Sequence, residues 1–227
     1  MAVRPIFVPR ISGKSLVDKI DIDFMWVAGL AKAQKQKCIR CLHEAAARRG
    51  IERPLEISSK SEAPDGVLLS AFNLPLNLST GIRTRVENVF QGSKVFRDGG
   101  PFVDLLGASP LHAKTDRRLC SSGEVIGFRL DGCDWPAWPR TAFYDWVYLT
   151  ALRQSPNLAR FLLGFDGFTD IEFNPQRSIN CQAASAALFV ALSKRGEIDA
   201  VMTDKEAFLE RLGGAMNSDG FRQTSLF

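Results

Sequence analysis

The chain has 227 residues, of which 45% are hydrophobic and 24% charged, and it carries a net charge of +4. This suits one large soluble domain, or a domain with an added element, and the charge is too small to demand a nucleic-acid partner. No apolar run approaches the roughly 20 residues of a membrane span, and "MAVRPIFVPRISGK" lacks a signal peptide's apolar core, so a cytoplasmic protein without a membrane partner is expected.

Residues 1–30 read as extended segments separated by turns. "PIFVP" is too proline-bounded for an interior strand, whereas "KIDIDFMWV" alternates as a strand does. A helix follows from Ala31 to Arg49, stopped by Gly50 as its C′ residue. It collects Lys32, Lys35, Lys37 and Arg40, with Arg48, Arg49 and Arg53 beyond, against only Glu44 and Glu52. Such a helix supplies sequence-independent phosphate contacts or is simply a solvated face. It also holds Cys38, Cys41 and His43, a C-x-x-C beside a histidine. No second cysteine pair completes a four-ligand site, so the reading is packing rather than a metal. Five cysteines without regular spacing argue against a disulfide framework, and no cofactor or metal site is expected.

"LEISS" and "GVLLSAF" read as strands flanking a "KSEAPDG" turn, and a loop around "PLNLSTGI" leads into a helix over residues 83–96, "RTRVENVFQGSKVF". Gly99, Gly100 and Pro101 end it. "GPFVDLLGAS" is a short helix, and "SPLHAKTD" opens another with Ser109 as N-cap and Pro110 at the first position. Core helices run from about Thr141 to Arg153 and from about Pro156 to Leu163. "FTDIEF" is a strand, "NPQRSIN" a loop, and "CQAASAALFVALSKRG" a small-residue helix. "DKEAFLERLGGAM" is a last helix before a polar tail. The whole reads as a mainly helical α+β protein.

Within the 83–96 helix, Glu87, Gln91 and Lys94 share a face within about 60°, and Val86, Val89, Phe90 and Ser93 form the adjoining stripe. The polar row therefore runs along the edge of the buried face, whereas a solvated row would point away from it. Seven residues separate Glu87 from Lys94, too far for a direct helix-surface pair, so the row reads as the floor of a cleft or as a buried structural network.

The order of motifs, "LEISSKS…GVLLSAFN", "VENVFQGSKVF", "SPLHAK", "TALRQSPNLARFLL" and "FTDIEF…SINCQAASAALFVAL", resembles the NADAR (YbiA-like) family over roughly residues 55–195. With the basic segment "AKAQKQK" it resembles the subgroup that accompanies DarT-type DNA ADP-ribosyltransferase toxins. The resemblance implies one YbiA-like domain over 55–200, a basic strand and helix extension over 1–54 packed on it, and a C-terminal helix and tail over 201–227. It implies removal of ADP-ribose from guanine bases of DNA, as antitoxin to a DarT-type toxin encoded nearby. Two alternatives stay open: an N-glycosidase acting on small riboflavin-pathway intermediates, and a non-enzymatic antitoxin that binds the toxin.

On the matching positions, the resemblance makes Glu87 and Lys94 catalytic. Phe90, Gln91, Ser70, Phe72, Glu172 and Asn180 become substrate-binding, and Lys32, Lys35, Lys37 and Arg40 would contact phosphates. Asn88 stands in place of the family's usual histidine and Ala71 in place of an asparagine. "FNPQRS" replaces a longer tryptophan-bearing loop, so aromatic stacking falls to Trp138 or Trp135. An acid such as Glu87 can protonate a departing amine, and an amine such as Lys94 can form a Schiff base with an opened sugar.

Overall fold

In the computed structural model, which describes residues 1–176 and 178–216, the alternating N-terminal segment forms a hairpin. Ala2–Pro9 (β1) pairs antiparallel with Val17–Phe24 (β2), in register from Ala2↔Phe24 to Pro9↔Val17. Strand β1 is interior after all, contrary to the proline argument. The four-stranded sheet runs β2-β1-β9-β3, where β9 is Gly167–Thr169 and β3 is Pro54–Glu56. The physical reason is local: β1 meets β9 only at Phe7↔Phe168, so Pro5 and Pro9, which lack a donor, are not asked to extend that ladder.

Lys32–Ala47 (α1) packs its Cys38, Ile39, Leu42 and Ala46 against Ile6, Ile22, Phe24 and Ile171. It ends as read, with Gly50 at φ 83° and the Ile51 N–H donating back to the Ala46 carbonyl. The larger core lies on the other face of the sheet, around Ala142–Arg153 (α6) and Gln182–Lys194 (α8). Ala183, Ala186, Ala187 and Ala191 let α8 come close to its neighbours, while Phe143, Val147 and Tyr148 of α6 are fully buried.

The predicted strand "GVLLSAF" is instead a short helix, Pro64–Leu68 (α2), followed by a turn over residues 69–73. Pro64 suits a first helical position, and Gly66 lies so close to Ser61 and the Glu56 carbonyl that a Cβ has no room. Pro75–Asn77 (β4) then pairs with Arg83–Arg85 (β5), the second small sheet.

The expected helix over 83–96 is only its middle. Val86–Gly92 (α3) is helical, and Lys94–Phe96 (β6) leaves it as a strand paired with Val125–Leu130 (β7), which turns into Cys133–Pro136 (β8). Gly92 packs against the Phe102 carbonyl, and Ser93 accepts the Arg129 N–H at 2.7 Å. Cross-strand pairing therefore overrides helical periodicity from Ser93 onward. The "GPFVDLLGAS" segment is a 3-10 turn over Val103–Gly107. Next come Pro110–Thr115 (α4), capped by the Ser109 hydroxyl as expected, and Arg118–Ser121 (α5).

Pro156–Leu162 (α7), Ile198–Val201 (α9) and Lys205–Met216 (α10) complete the described chain. The polar tail after residue 216 lies outside the described residues. Of "FTDIEF" only Phe168 and Thr169 join the sheet, in β9, and the chain leaves the strand at Asp170. Helices are mixed with three small sheets among the described residues, an α+β arrangement. No described helix is long and apolar enough to cross a membrane.

Candidate active site

Every residue of α3 is buried, including Glu87, Asn88 and Gln91. Buried polar side chains must find partners, and these do so along a line. Gln91 Nε2 donates to Glu87 Oε1 at 2.9 Å, and Lys94 Nζ donates to Gln91 Oε1 at 2.7 Å. Lys94 Nζ also lies 4.6 Å from the centre of the Phe90 ring, a cation–π contact. The row expected from helical spacing therefore exists, but β6 delivers its lysine.

Two devices hold this geometry. Asn88 Nδ2 donates to the Leu105 and Ala108 carbonyls at 2.7 and 2.8 Å, tying α3 to the 3-10 segment. Behind Lys94, Gly100 sits at φ 82° against the Lys94 carbonyl, where any Cβ would collide. Asn88 is thus a strut, while Glu87 keeps one carboxylate oxygen without a hydrogen bond among the described residues. Burial lowers the Lys94 pKa, with the Glu87 charge opposing.

A second buried acid was not read from the sequence. Asp170 Oδ1 accepts the N–H groups of Glu172 and Phe173 at 3.0 and 3.1 Å, and its Oδ2 accepts Gln182 Nε2 at 2.9 Å. Gln182 also donates to the Ile57 carbonyl, and its Oε1 accepts the Ala71 N–H at 2.7 Å. The Ala71 carbonyl in turn accepts the Glu87 N–H at 3.0 Å. Gln182 and the Ala71 backbone therefore tie Asp170 to the main chain at Glu87. Burial, with the neighbouring Glu56 charge, pushes Asp170 up to about 8. A readable signal was present, since an aspartate directly after an apolar strand segment with two amides following is an Asx-turn pattern.

Residues 2–219 match the family described as the DarT1-associated NADAR antitoxin. The chain belongs to that family. None of the curated proteins compared with it matches.

In this NADAR chain the residues carried over by resemblance fall into different places. Glu87, Phe90, Gln91 and Lys94 come together as described. Phe72, next to Ala71 in sequence, is partly buried, with Lys114 Nζ 5.0 Å from its ring. Ser70 is buried, but its hydroxyl donates to the Val67 carbonyl and accepts from Asn73, which holds the turn. Glu172 points outward and pairs with Lys60 at 3.8 Å, so the acid turned into the interior is Asp170, two residues earlier. Asn180 lies at the mouth of α8 with its Oδ1 buried and without a partner among the described residues, and the bridging amide is Gln182.

Trp135 packs with Phe143, Trp146 and Phe208 and is a core residue. Trp138 is 58% exposed on the connection between β8 and α6, and no aromatic or hydrogen-bond contact joins it to the Glu87 row. Of the four basic positions on α1, Lys35 lies over the Trp26 ring at 4.8 Å and Arg40 pairs with Glu62, while Lys32 and Lys37 are exposed. His43 is an interior residue, its Nε2 2.9 Å from Thr169 Oγ1, and burial pulls its pKa down to about 4. Cys38 Sγ bonds to the Val27 backbone, so the C-x-x-C is packing. Among the described residues no group of three metal-ligating side chains gathers, and all five cysteines are free. An open, mostly apolar cavity of about 670 Å³ lies between His43, Arg53, Phe161 and Phe165 and includes no member of the Glu87 row.

Proposed function

We propose that this antitoxin-family protein is a hydrolase that removes ADP-ribose from guanine bases of DNA and so reverses the action of a DarT-type transferase. The observation that carries the reading is the Glu87–Gln91–Lys94 row: a carboxylate with an open oxygen and an amine whose pKa burial lowers, joined by one amide around the Phe90 ring.

The chemistry follows from those groups. With the ribose ring opened, its first carbon is an imine of the guanine amino nitrogen. Lys94 passes a proton to the Glu87 carboxylate and adds to that carbon as the free amine. The guanine nitrogen takes one proton from the attacking lysine nitrogen and one from Glu87, the carbon–nitrogen bond breaks, guanine leaves with its amino group restored, and the Lys94 imine is left protonated. Water then adds to the carbon of the Lys94 imine, Glu87 takes back a proton, and ADP-ribose departs with the lysine regenerated. Gln91 keeps the acid and the amine apart and in register. The exposed Lys32 and Lys37 of α1 supply phosphate contacts for the polymeric substrate, with Lys35 and Arg40 beside them.

The test is incubation of the protein with DNA carrying ADP-ribosylated guanine, followed by chromatographic detection of free ADP-ribose and intact guanine DNA. Release at catalytic protein concentrations supports the reading. No release from that substrate overturns it, and rescue of cells from the toxin by a Glu87→Gln, Lys94→Ala double variant would turn the reading to direct toxin binding.

A further inference from the structure

Tyr144 is 5% exposed and sits in the first turn of α6, facing α3. Its ring meets Phe90 edge-on, with centroids 5.0 Å apart and planes at 87°, and stacks on Tyr148 at 6.3 Å. The two tyrosines share a helix face but differ at the oxygen. The Tyr148 hydroxyl donates to the Leu69 carbonyl at 2.8 Å. The Tyr144 hydroxyl makes no hydrogen bond among the described residues.

A nearly buried phenol ordinarily finds a partner, because leaving its O–H unmatched costs the desolvation of that group. The Phe90 ring that it touches is the one that carries Lys94 Nζ on its face. Glu87, one turn earlier on α3, has an oxygen without a hydrogen bond among the described residues, and burial first, then the Glu87 charge, hold the Tyr144 phenol above its ordinary range. Asp170 adds to that effect from the other acid. Burial thus keeps the phenol protonated, a donor rather than an anion. Lys94 of β6 and Tyr144 of α6 therefore meet on one ring, that of Phe90, with Glu87 one turn away on α3.

We infer that Tyr144 is a substrate-binding residue of this site, its O–H donating to a hydroxyl of the ribose held between Glu87 and Lys94. The inference rests on the proposed reaction, and it assigns the third element, α6, to recognition of the sugar. Phe90 then serves as the shared apolar floor that sets the positions of both Tyr144 and Lys94.

The experiment compares binding of ADP-ribose and of ADP, which lacks the second ribose, by titration calorimetry for the full chain and its Tyr144→Phe and Tyr148→Phe variants. Tyr144→Phe should weaken ADP-ribose binding about tenfold, the effect of one hydrogen bond, and leave ADP binding unchanged. Its melting temperature should not fall, since no protein partner is lost. Tyr148→Phe should lower the melting temperature and leave the ADP-ribose to ADP ratio unaltered. Equal ADP-ribose affinity for wild type and Tyr144→Phe overturns the inference, as does a melting temperature that falls by several degrees in Tyr144→Phe. Failure of the underlying reaction is read separately, from wild-type protein that releases no ADP-ribose from modified DNA.

Discussion

Helices α1 and α3 each carry a row of polar side chains along one edge, and the two rows have opposite fates. At α3, Glu87 and Gln91 are buried and Gln91 bonds both Glu87 and the partly buried Lys94 of β6, with one Glu87 carboxylate oxygen left without a hydrogen bond among the described residues. On α1, Lys32 and Lys37 stand in solvent, while Lys35 leans on Trp26 and Arg40 pairs with Glu62. The same residue type thus acts in two ways. A lysine in water stays charged and can attract phosphate at a distance, whereas a lysine withdrawn from water loses part of its preference for the charged form. Burial, rather than residue type, separates the row suited to covalent chemistry from the row suited to holding a polyanion.

The largest expected effect tests the buried row. Glu87→Gln keeps size and hydrogen bonding but cannot transfer a proton, and should reduce ADP-ribose release about 10²–10⁴-fold with little change in melting temperature. Lys94→Arg keeps a positive charge but cannot form an imine. Borohydride added during turnover should attach ADP-ribose to Lys94 in wild type and to nothing in this variant, as read by peptide mass. A retained adduct elsewhere would remove Lys94 from the covalent step.

Next in size is the strut behind the row. Asn88→Ala removes the donor that ties the Leu105 and Ala108 carbonyls to α3, although Leu105 keeps the Ala108 N–H, and should destabilise the fold by about 1 kcal/mol in urea unfolding, with activity falling in proportion to misplacement of α3. Unchanged stability would mean that the 3-10 segment is held by other contacts.

A smaller effect should appear in the pH dependence of stability. An acid raised by burial keeps its proton in the folded chain after the unfolded chain has lost it, so stability falls as pH rises from near 4 toward the folded value. Asp170, raised to about 8, gives this slope, and Asp145, raised to about 6, adds to its lower part. His43, lowered to about 4, acts the other way, but only up to its ordinary value of 6.5. Between pH 6.5 and about 8 the Asp170 slope should therefore be visible in melting temperature, and Asp170→Asn should flatten it.

The smallest effect belongs to the exposed row. Replacing Lys32 and Lys37 together by alanine should raise the Michaelis constant for DNA a few-fold without altering the catalytic rate. The slope of its logarithm against log salt should drop by about 1.5–2. A fall in the catalytic rate instead would mean that α1 influences the buried row.

Much of this was legible in the chain. Ser109 and Pro110 start α4 and Gly50 ends α1 because these signals act through a few neighbouring atoms. The aromatic and small-residue helices α6 and α8 fall within a residue or two of their expected bounds. The β7–β8 hairpin also had a local signal, Asp131–Gly132 between two apolar runs, where both residues have positive φ. The Glu87, Gln91 and Lys94 row followed from periodicity, and its members do meet.

What tertiary structure alone decided was where periodicity stops. Lys94 leaves the helix because the β7 backbone offers it a ladder, and Asp170 rather than Glu172 turns inward because the Glu172 and Phe173 amides and Gln182 satisfy it there. Gln182 and Tyr144 are brought to the Glu87 segment by contacts with positions 111 and 54 residues away, respectively Ala71 and Phe90. Local composition specifies helices, caps and turns through interactions a few residues long. Desolvation, which makes an acid or an amine reactive, depends on everything packed around it, and that is set only when distant segments close over the same few atoms.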